Sequence, residues 1–151
     1  MDNIIKIYTD GACKGNPGAG GWGSILLWNG VERGISGGKP YTTNNEMELT
    51  ALVSALKLLK GPSIISVYSD SKYVVDAINK NWLNNWLKDG SIYTRPNSAL
   101  WLELVDELSK HTYTFHWVKG HSGDKYNEWC DRLAVQKRDE MFKMYGDGRN
   151  E

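Results

Sequence analysis

The pattern of apolar and polar positions along this chain of 151 residues alternates between strand and helix periodicity. A short β-type pattern occupies residues 4–10, 22–28 and 31–37. Asn29-Gly30, between the last two runs, is the strongest short signal for a tight hairpin, so the three runs are predicted to form an antiparallel meander. The glycine-rich stretch 11–21 is predicted to be a loop.

Helical periodicity begins after the polar cap Thr42-Thr43-Asn44-Asn45 and stops at Gly61-Pro62, which are good start and stop signals. Strand patterns return later at 64–69 and 112–118, and helices are predicted near 71–88, 97–109 and 124–143. The order β-β-β-α-β-α-α-β-α predicts an α/β fold with a mixed five-stranded sheet, in which three antiparallel strands are joined by two parallel ones. One domain is expected over residues 1–145, followed by a polar tail at 146–151.

Two runs echo each other: Ile7-Tyr8-Thr9-Asp10 and Val67-Tyr68-Ser69-Asp70. If they are neighbouring parallel strands, Asp10 and Asp70 lie side by side at the strand ends, where α/β proteins usually place their sites. Two carboxylates held close together repel each other, and a divalent cation is the simplest compensation. Taken alone, each aspartate is more typical of a strand-ending turn.

Glu48 and Asp131 extend this candidate site. Glu48 shares a helical stripe with Leu52 and Leu56, and a carboxylate facing a core needs an ion-pair partner or a metal. Asp131 lies beside Cys130 on the last helix, where a solvated flank position is the simpler interpretation. Four carboxylates at one edge could hold two Mg²⁺ or Mn²⁺ ions, which about 4 Å apart clamp a phosphodiester.

Composition narrows the function classes. Lysine plus arginine and aspartate plus glutamate each number 18, so the chain has no global attraction to nucleic acid and depends on local patches or metal. No apolar run approaches the roughly 18–20 residues of a membrane span, and the N-terminus lacks a signal-peptide core. Two cysteines without paired spacing argue against a disulfide scaffold or structural zinc, and favour a cytoplasmic setting.

Motifs along the chain resemble those of type 1 ribonuclease H, the bacterial-type ribonuclease HI. They run in family order from residue 4 to about 138 and are specific as a set: Tyr8-Thr9-Asp10-Gly11, Gly15-Asn16-Pro17-Gly18, Thr42-Thr43-Asn44-Asn45, Met47-Glu48-Leu49, Ser69-Asp70-Ser71, Trp117-Val118-Lys119-Gly120-His121-Ser122-Gly123, Asn127-Glu128 and Cys130-Asp131. The resemblance implies the ribonuclease H-like fold. It also implies an endonuclease that hydrolyses the RNA strand of RNA–DNA hybrids and leaves 5′-phosphate and 3′-hydroxyl ends.

The resemblance also implies roles for particular residues. Its metal ligands would be Asp10, Glu48, Asp70 and Asp131, with two Mg²⁺ ions bound beside substrate and Mn²⁺ as a substitute. His121 would move protons at the leaving group or help product depart, although a histidine in a glycine-flanked loop is otherwise a surface residue. The implied substrate contacts are Cys13, Asn16, Thr43, Asn44, Lys72, Trp82 and Trp101.

The segment 80–97 departs from the best-known bacterial pattern, in which it is densely basic. It carries Lys80, Lys88 and Arg95 against Asp89, a net charge of 3 − 1 = +2. Weaker hybrid binding is therefore expected. Trp82 and Trp86, four residues apart, fit either the family's substrate-binding cluster or core packing.

The motifs fit other functions less well. An exonuclease of the same fold class needs an Asp-x-Glu motif, which Asp10-Gly11-Ala12 lacks, and a resolvase or integrase would not combine the Thr-Asn-Asn and Gly-His-Ser-Gly motifs. A silent hybrid-binding module gains nothing from clustered negative charge facing phosphates. The expected partner is an RNA–DNA hybrid, without a membrane, and the expected state is a monomer.

Overall fold

The computed structural model describes residues 3–120 and 123–146, and within them the chain forms one five-stranded sheet with helices on both faces. The strands are β1 (Ile4–Gly15), β2 (Gly18–Trp28), β3 (Val31–Thr42), β4 (Ile64–Ser69) and β5 (Thr112–Trp117). The helices are α1 (Asn44–Leu56), α2 (Lys72–Asn79), α3 (Trp82–Asp89), α4 (Ser98–Leu108) and α5 (Lys125–Tyr145), with a 3₁₀ turn at Ser91–Thr94.

The sheet order β3-β2-β1-β4-β5 confirms the predicted mixed topology. Strands β1, β2 and β3 are antiparallel neighbours, and β4 runs parallel to both β1 and β5. The predicted pairing of the two Asp-ended strands is therefore correct.

Alternation along β1 divides the interior into two layers, because successive strand residues point to opposite faces. Ile7 belongs to the large core cluster, which contains apolar side chains of α1, α2 and α4. Tyr8 belongs to a smaller cluster with Cys130 of α5. Helix α5 therefore packs alone against the face of the sheet opposite the other helices.

The predicted loop at 11–21 is instead mostly strand. β1 continues to Gly15 and β2 begins at Gly18, so only Asn16 and Pro17 separate them. Glycine usually weakens a strand, but here its missing side chain lets two helices approach the backbone. At Gly20, a β-carbon would collide with Thr42 and Met47, and at Gly21 with the backbone of α5.

Two predicted helices have different limits. The helix near 71–88 is broken at Asn81, whose φ of 60° is left-handed, into α2 and α3. Asparagine tolerates this conformation better than most residues, so the chain turns there without glycine or proline. Helix α1 ends at Leu56, before the Gly61-Pro62 stop signal. Among the described residues, no helix has the length and apolarity needed to cross a membrane.

Candidate active site

The register of β1 and β4 brings two of the predicted carboxylates together. Their last paired residues are Thr9 and Ser69, so Asp10 and Asp70 follow at equivalent positions at the carboxyl ends of the parallel strands. Asp10 is only 5% exposed. Both strands contribute buried apolar residues to the sheet, and this holds the two aspartates at a fixed edge.

Gly11 allows Glu48 to join them. A β-carbon on Gly11 would lie 2.7 Å from the backbone nitrogen of Glu48 and 2.9 Å from the carbonyl carbon of Met47. Only glycine therefore permits this close approach of β1 to the start of α1. The Gly11 backbone N–H also donates to Asp10 Oδ1 at 2.9 Å, which fixes the orientation of that carboxylate.

One carboxylate oxygen each from Asp10, Glu48 and Asp70 lies within 4.8 Å of the other two. Glu48 is 8% exposed, and its Oε2 has no hydrogen-bond partner among the described residues. A buried carboxylate oxygen without a partner is costly, and hard oxygen ligands are what Mg²⁺ and Mn²⁺ prefer. The three side chains therefore fit a divalent metal.

The pKa values of these carboxylates also favour a bound cation. Burial first, and then the charge of Asp70, raise the pKa of Asp10 from 3.8 to about 8. Burial and the charge of Asp10 raise the pKa of Glu48 well above its usual value. Without a cation, the cluster therefore retains protons at neutral pH, which metal binding would displace.

Asp131 lies beside this cluster without belonging to the group of three. It is half-buried on α5, and its negative charge contributes to the raised pKa of Asp10. Its helix packs so close to the sheet that a β-carbon on Gly23 would lie 2.7 Å from the Cys130 carbonyl oxygen. Asp124 caps the start of the same helix by accepting from the backbone N–H groups of Tyr126 and Asn127, each at 3.0 Å.

His121 and Ser122 lie outside the described residues, but the chain leading to them is tied to Asp70. Trp117 Nε1 donates to the Asp70 carbonyl oxygen at 3.1 Å, and a β-carbon on Gly120 would lie 2.9 Å from Asp70 Oδ2. Lys72 places its ammonium 4.8 Å from the centre of the Trp117 ring. In the sequence, Trp117 stands only as part of a motif, and no pattern there indicates this contact.

Three of the implied substrate contacts, Asn16, Thr43 and Asn44, lie at the start of α1. Thr43 is the N-cap, and its Oγ1 accepts from the backbone N–H of Glu46 at 3.2 Å. The Asn44 backbone N–H donates to Asn16 Oδ1 at 3.0 Å and is therefore already engaged within the protein. The Asn16 amide, the Thr43 hydroxyl and the Asn44 side chain can also donate hydrogen bonds at this turn.

Cys13 is half-buried behind this turn. Its Sγ lies 3.2 Å from the Thr42 carbonyl oxygen and 3.5 Å from that of Gly18, as a weak donor to both. Burial raises the pKa of this thiol. The side chain therefore links the β1–β2 hairpin to the segment that precedes α1.

The tryptophans divide into surface and core. Trp82 is 41% exposed and borders a 520 Å³ groove with Trp86, Arg95 and residues from the neighbouring elements. Trp101 is fully buried, so its prediction as a direct substrate contact is wrong. Its indole N–H donates to Tyr73 Oη at 3.0 Å, and its ring packs edge-on against Trp86.

In the sequence, Arg95 is notable only for its positive charge, but in the structure it has a defined position in the groove. Its guanidinium carbon lies 3.8 Å from the centre of the Trp86 ring, a stacked cation–π contact. The residue follows the 3₁₀ turn, and no periodic pattern marks it. Its sequence signal is limited to the neighbouring Pro96.

The carboxylate cluster at the ends of the parallel strands is a candidate site for a divalent metal. The sequence profile of the RNase H family matches residues 2–139. A ribonuclease H of Chlorobaculum parvum is 50% identical over 138 residues, which cover 89% of this chain and 94% of that protein. The chain belongs to the RNase H family.

Solved structures agree with this assignment. LC9-RNase H1, a type 1 RNase H with the type 2 active-site motif, matches with a TM-score of 0.81 and 30% identity, over 93% of this chain and 74% of that one. LC11-RNase H1 in complex with an RNA/DNA hybrid has the same fold, with a TM-score of 0.69 and 23% identity over 90% and 97% of the two chains. As a member of the RNase H family, the protein is an endoribonuclease that cleaves the RNA strand of RNA–DNA hybrids.

Proposed function

We propose that this enzyme hydrolyses hybrid RNA by a two-metal-ion mechanism, with Asp10, Glu48, Asp70 and Asp131 as ligands. The observation that carries the proposal is the buried group of three carboxylates, in which Glu48 Oε2 has no hydrogen-bond partner among the described residues. Mg²⁺ is the proposed ion and Mn²⁺ a substitute. When bound, the ions supply a water nucleophile and stabilise the departing oxygen.

The protein groups position these ions and the scissile strand. Asp10 and Asp70 are held by adjacent strands and Glu48 by α1, so their carboxylates need little rearrangement. Asp131 completes the set from α5. The proposed role of His121 is to transfer a proton at the leaving oxygen, which would yield 5′-phosphate and 3′-hydroxyl ends.

Substrate recognition is proposed for two surfaces flanking the carboxylates. The Asn16 amide and the Thr43 hydroxyl offer donors to a DNA-strand phosphate, with Asn44 beside them. The groove along Trp82 offers aromatic surface to the hybrid, and the Lys72 ammonium lies over the ring of Trp117, which donates to the Asp70 carbonyl oxygen. In LC11-RNase H1 the same fold binds an RNA/DNA hybrid.

The remaining proposals concern the whole molecule. Residues 1–145 would form the single catalytic domain and 146–151 a polar tail. A monomer acting in the cytoplasm is proposed, in keeping with the two free cysteines.

The test is cleavage of labelled RNA–DNA, RNA–RNA and DNA–DNA duplexes with Mg²⁺, Mn²⁺ or EDTA. Only RNA within the hybrid should be cut, and EDTA should stop the reaction. Asp10→Asn and Asp70→Asn should lower the rate by orders of magnitude with hybrid binding retained. His121→Ala should lose about 10²–10⁴-fold, as is typical for a proton-transfer group.

Asp106→Asn is the matched control, because Asp106 is a strongly exposed aspartate on α4. It should keep the wild-type rate. Full activity in EDTA, or cleavage of duplex DNA at a comparable rate, would contradict the proposed chemistry. A His121→Ala variant as inactive as Asp10→Asn would contradict the proposed role of His121.

A further inference from the structure

An ion pair lies at the same helix turn as the proposed phosphate contacts. Lys39 Nζ, on β3, is 2.6 Å from Glu46 Oε2, on the first turn of α1. Glu46 also accepts from the Thr42 hydroxyl through its other carboxylate oxygen. The Lys39 side chain is 52% exposed and that of Glu46 only 23%, so the carboxylate is anchored while the ammonium faces solvent.

Glu46 shares this turn with the groups proposed to hold the DNA strand. Its backbone N–H donates to Thr43 Oγ1, and the adjacent Asn44 backbone N–H donates to Asn16 Oδ1. Because Thr43 Oγ1 already accepts one hydrogen bond, its own proton remains free to donate to an anion. A carboxylate in this position repels a phosphate that approaches these donors.

The Glu46 carboxylate and the Lys39 ammonium form an ion pair, with Oε2 and Nζ 2.6 Å apart. The charge of Lys39 is therefore balanced by a side chain of the protein before any substrate binds.

We propose that Glu46 restrains Lys39 as an internal counterion, and that a backbone phosphate of the DNA strand draws the Lys39 ammonium away from it. This inference rests on the proposed phosphate contacts at the start of α1. Glu46 thereby sets the affinity for the hybrid through Lys39, as a positioning residue rather than a substrate contact.

The pair has a consequence for salt dependence. A lysine that moves from solvent counterions to a phosphate adds about 0.9 to the magnitude of the slope of log affinity against log salt. A lysine already neutralised by Glu46 contributes less, because fewer counterions are released when the hybrid binds. The pair therefore lowers affinity and flattens its salt dependence.

Glu46→Gln tests this, because glutamine keeps the oxygen that accepts from Thr42 and removes only the charge. Steady-state hybrid cleavage and hybrid binding would be measured from about 50 to 200 mM salt. KM should fall about two- to fivefold, the range over which exposed ion pairs couple, with kcat unchanged. The salt slope should steepen by up to about 0.9.

Lys39→Gln distinguishes an effect of Glu46 that acts through Lys39 from long-range repulsion between the Glu46 charge and the hybrid. In the Lys39→Gln background, Glu46→Gln should no longer steepen the slope, because the ammonium that it would release is gone. Lys39→Gln alone should raise KM, and this arm stands even if Glu46→Gln folds poorly. Glu103→Gln is the matched control, since Glu103 forms a comparable exposed pair with Lys57 at the far end of α1.

An unchanged KM and slope in Glu46→Gln would overturn the inference. So would an equal effect of Glu46→Gln with and without Lys39, since the charge would then act only at long range. If the wild type does not cleave hybrids, the proposed function fails. If it cleaves but Glu46→Gln behaves as wild type, only this inference fails.

Discussion

Replacing Asp10 by asparagine should stabilise the metal-free protein while abolishing catalysis. The pKa of Asp10 is raised from 3.8 to about 8 by burial and by the charge of Asp70. Between these two pH values the folded state holds a proton that the unfolded state has released. Stability therefore decreases as pH rises through this window, by up to about 1.4 kcal/mol per pH unit.

Over about four pH units, the loss of folding free energy amounts to roughly 5 kcal/mol, which is shared among the carboxylates that titrate together. Asparagine removes the charge and keeps an oxygen that can accept from the Gly11 backbone N–H. At about 2–4 °C per kcal/mol for a domain of this size, the melting temperature at pH 8 should rise by at least about 5 °C. At pH 4 the difference should nearly vanish.

The assay is thermal unfolding of wild type and Asp10→Asn in EDTA between pH 4 and 9, repeated with Mg²⁺. Mg²⁺ should stabilise the wild type by mass action and narrow the gap. Asp106→Asn, an exposed carboxylate, should show no such pH-dependent gain. An Asp10→Asn protein that is less stable at pH 8 in EDTA, or a gap independent of pH, would refute the reasoning.

Two other changes test the packing and the substrate surface. Gly11→Ala should cost about 1–3 kcal/mol of stability and lower kcat, since its β-carbon would lie 2.7 Å from the Glu48 backbone nitrogen. Gly61→Ala is the control, because no atom lies within 4 Å of a β-carbon there. Equal melting temperatures for the two variants would contradict the packing argument. Lysines at the exposed Asn85 and Leu87 of α3 should lower KM and steepen the salt slope by about 0.9 per phosphate contact, and an unchanged slope would show that α3 does not contact the hybrid.

Sequence reasoning succeeded where the signal was local and repeated. The Asp10 and Asp70 runs predicted a parallel strand pair, and the structure confirms it. Glu48 was recognisable because a carboxylate on an apolar helix stripe needs an explanation. Each of these predictions depended on periodicity and on the cost of burying charge, which hold in most folds.

The misses came from long-range packing. The glycines at 11–21 read as loop residues because their use, direct contact of helices with strand backbone, depends on elements distant in sequence. Trp101 was expected to contact substrate because it fits the family's aromatic cluster, yet it is buried in the core, where its indole N–H donates to Tyr73. The break at Asn81 carries neither glycine nor proline, so the helix pattern runs through it.

The glycines of β2 affect the position of Asp131. Helix α5 packs directly on the backbone of Gly21 and Gly23, and the absence of side chains at these two positions therefore determines how near Asp131 comes to Asp10. A single methyl group added on that strand would push the helix outward and weaken the proposed fourth ligand, with all four carboxylates intact. Under the proposed mechanism, metal affinity then depends on residues that do not contact the metal, and a change at one of them should first raise the metal concentration that the enzyme needs.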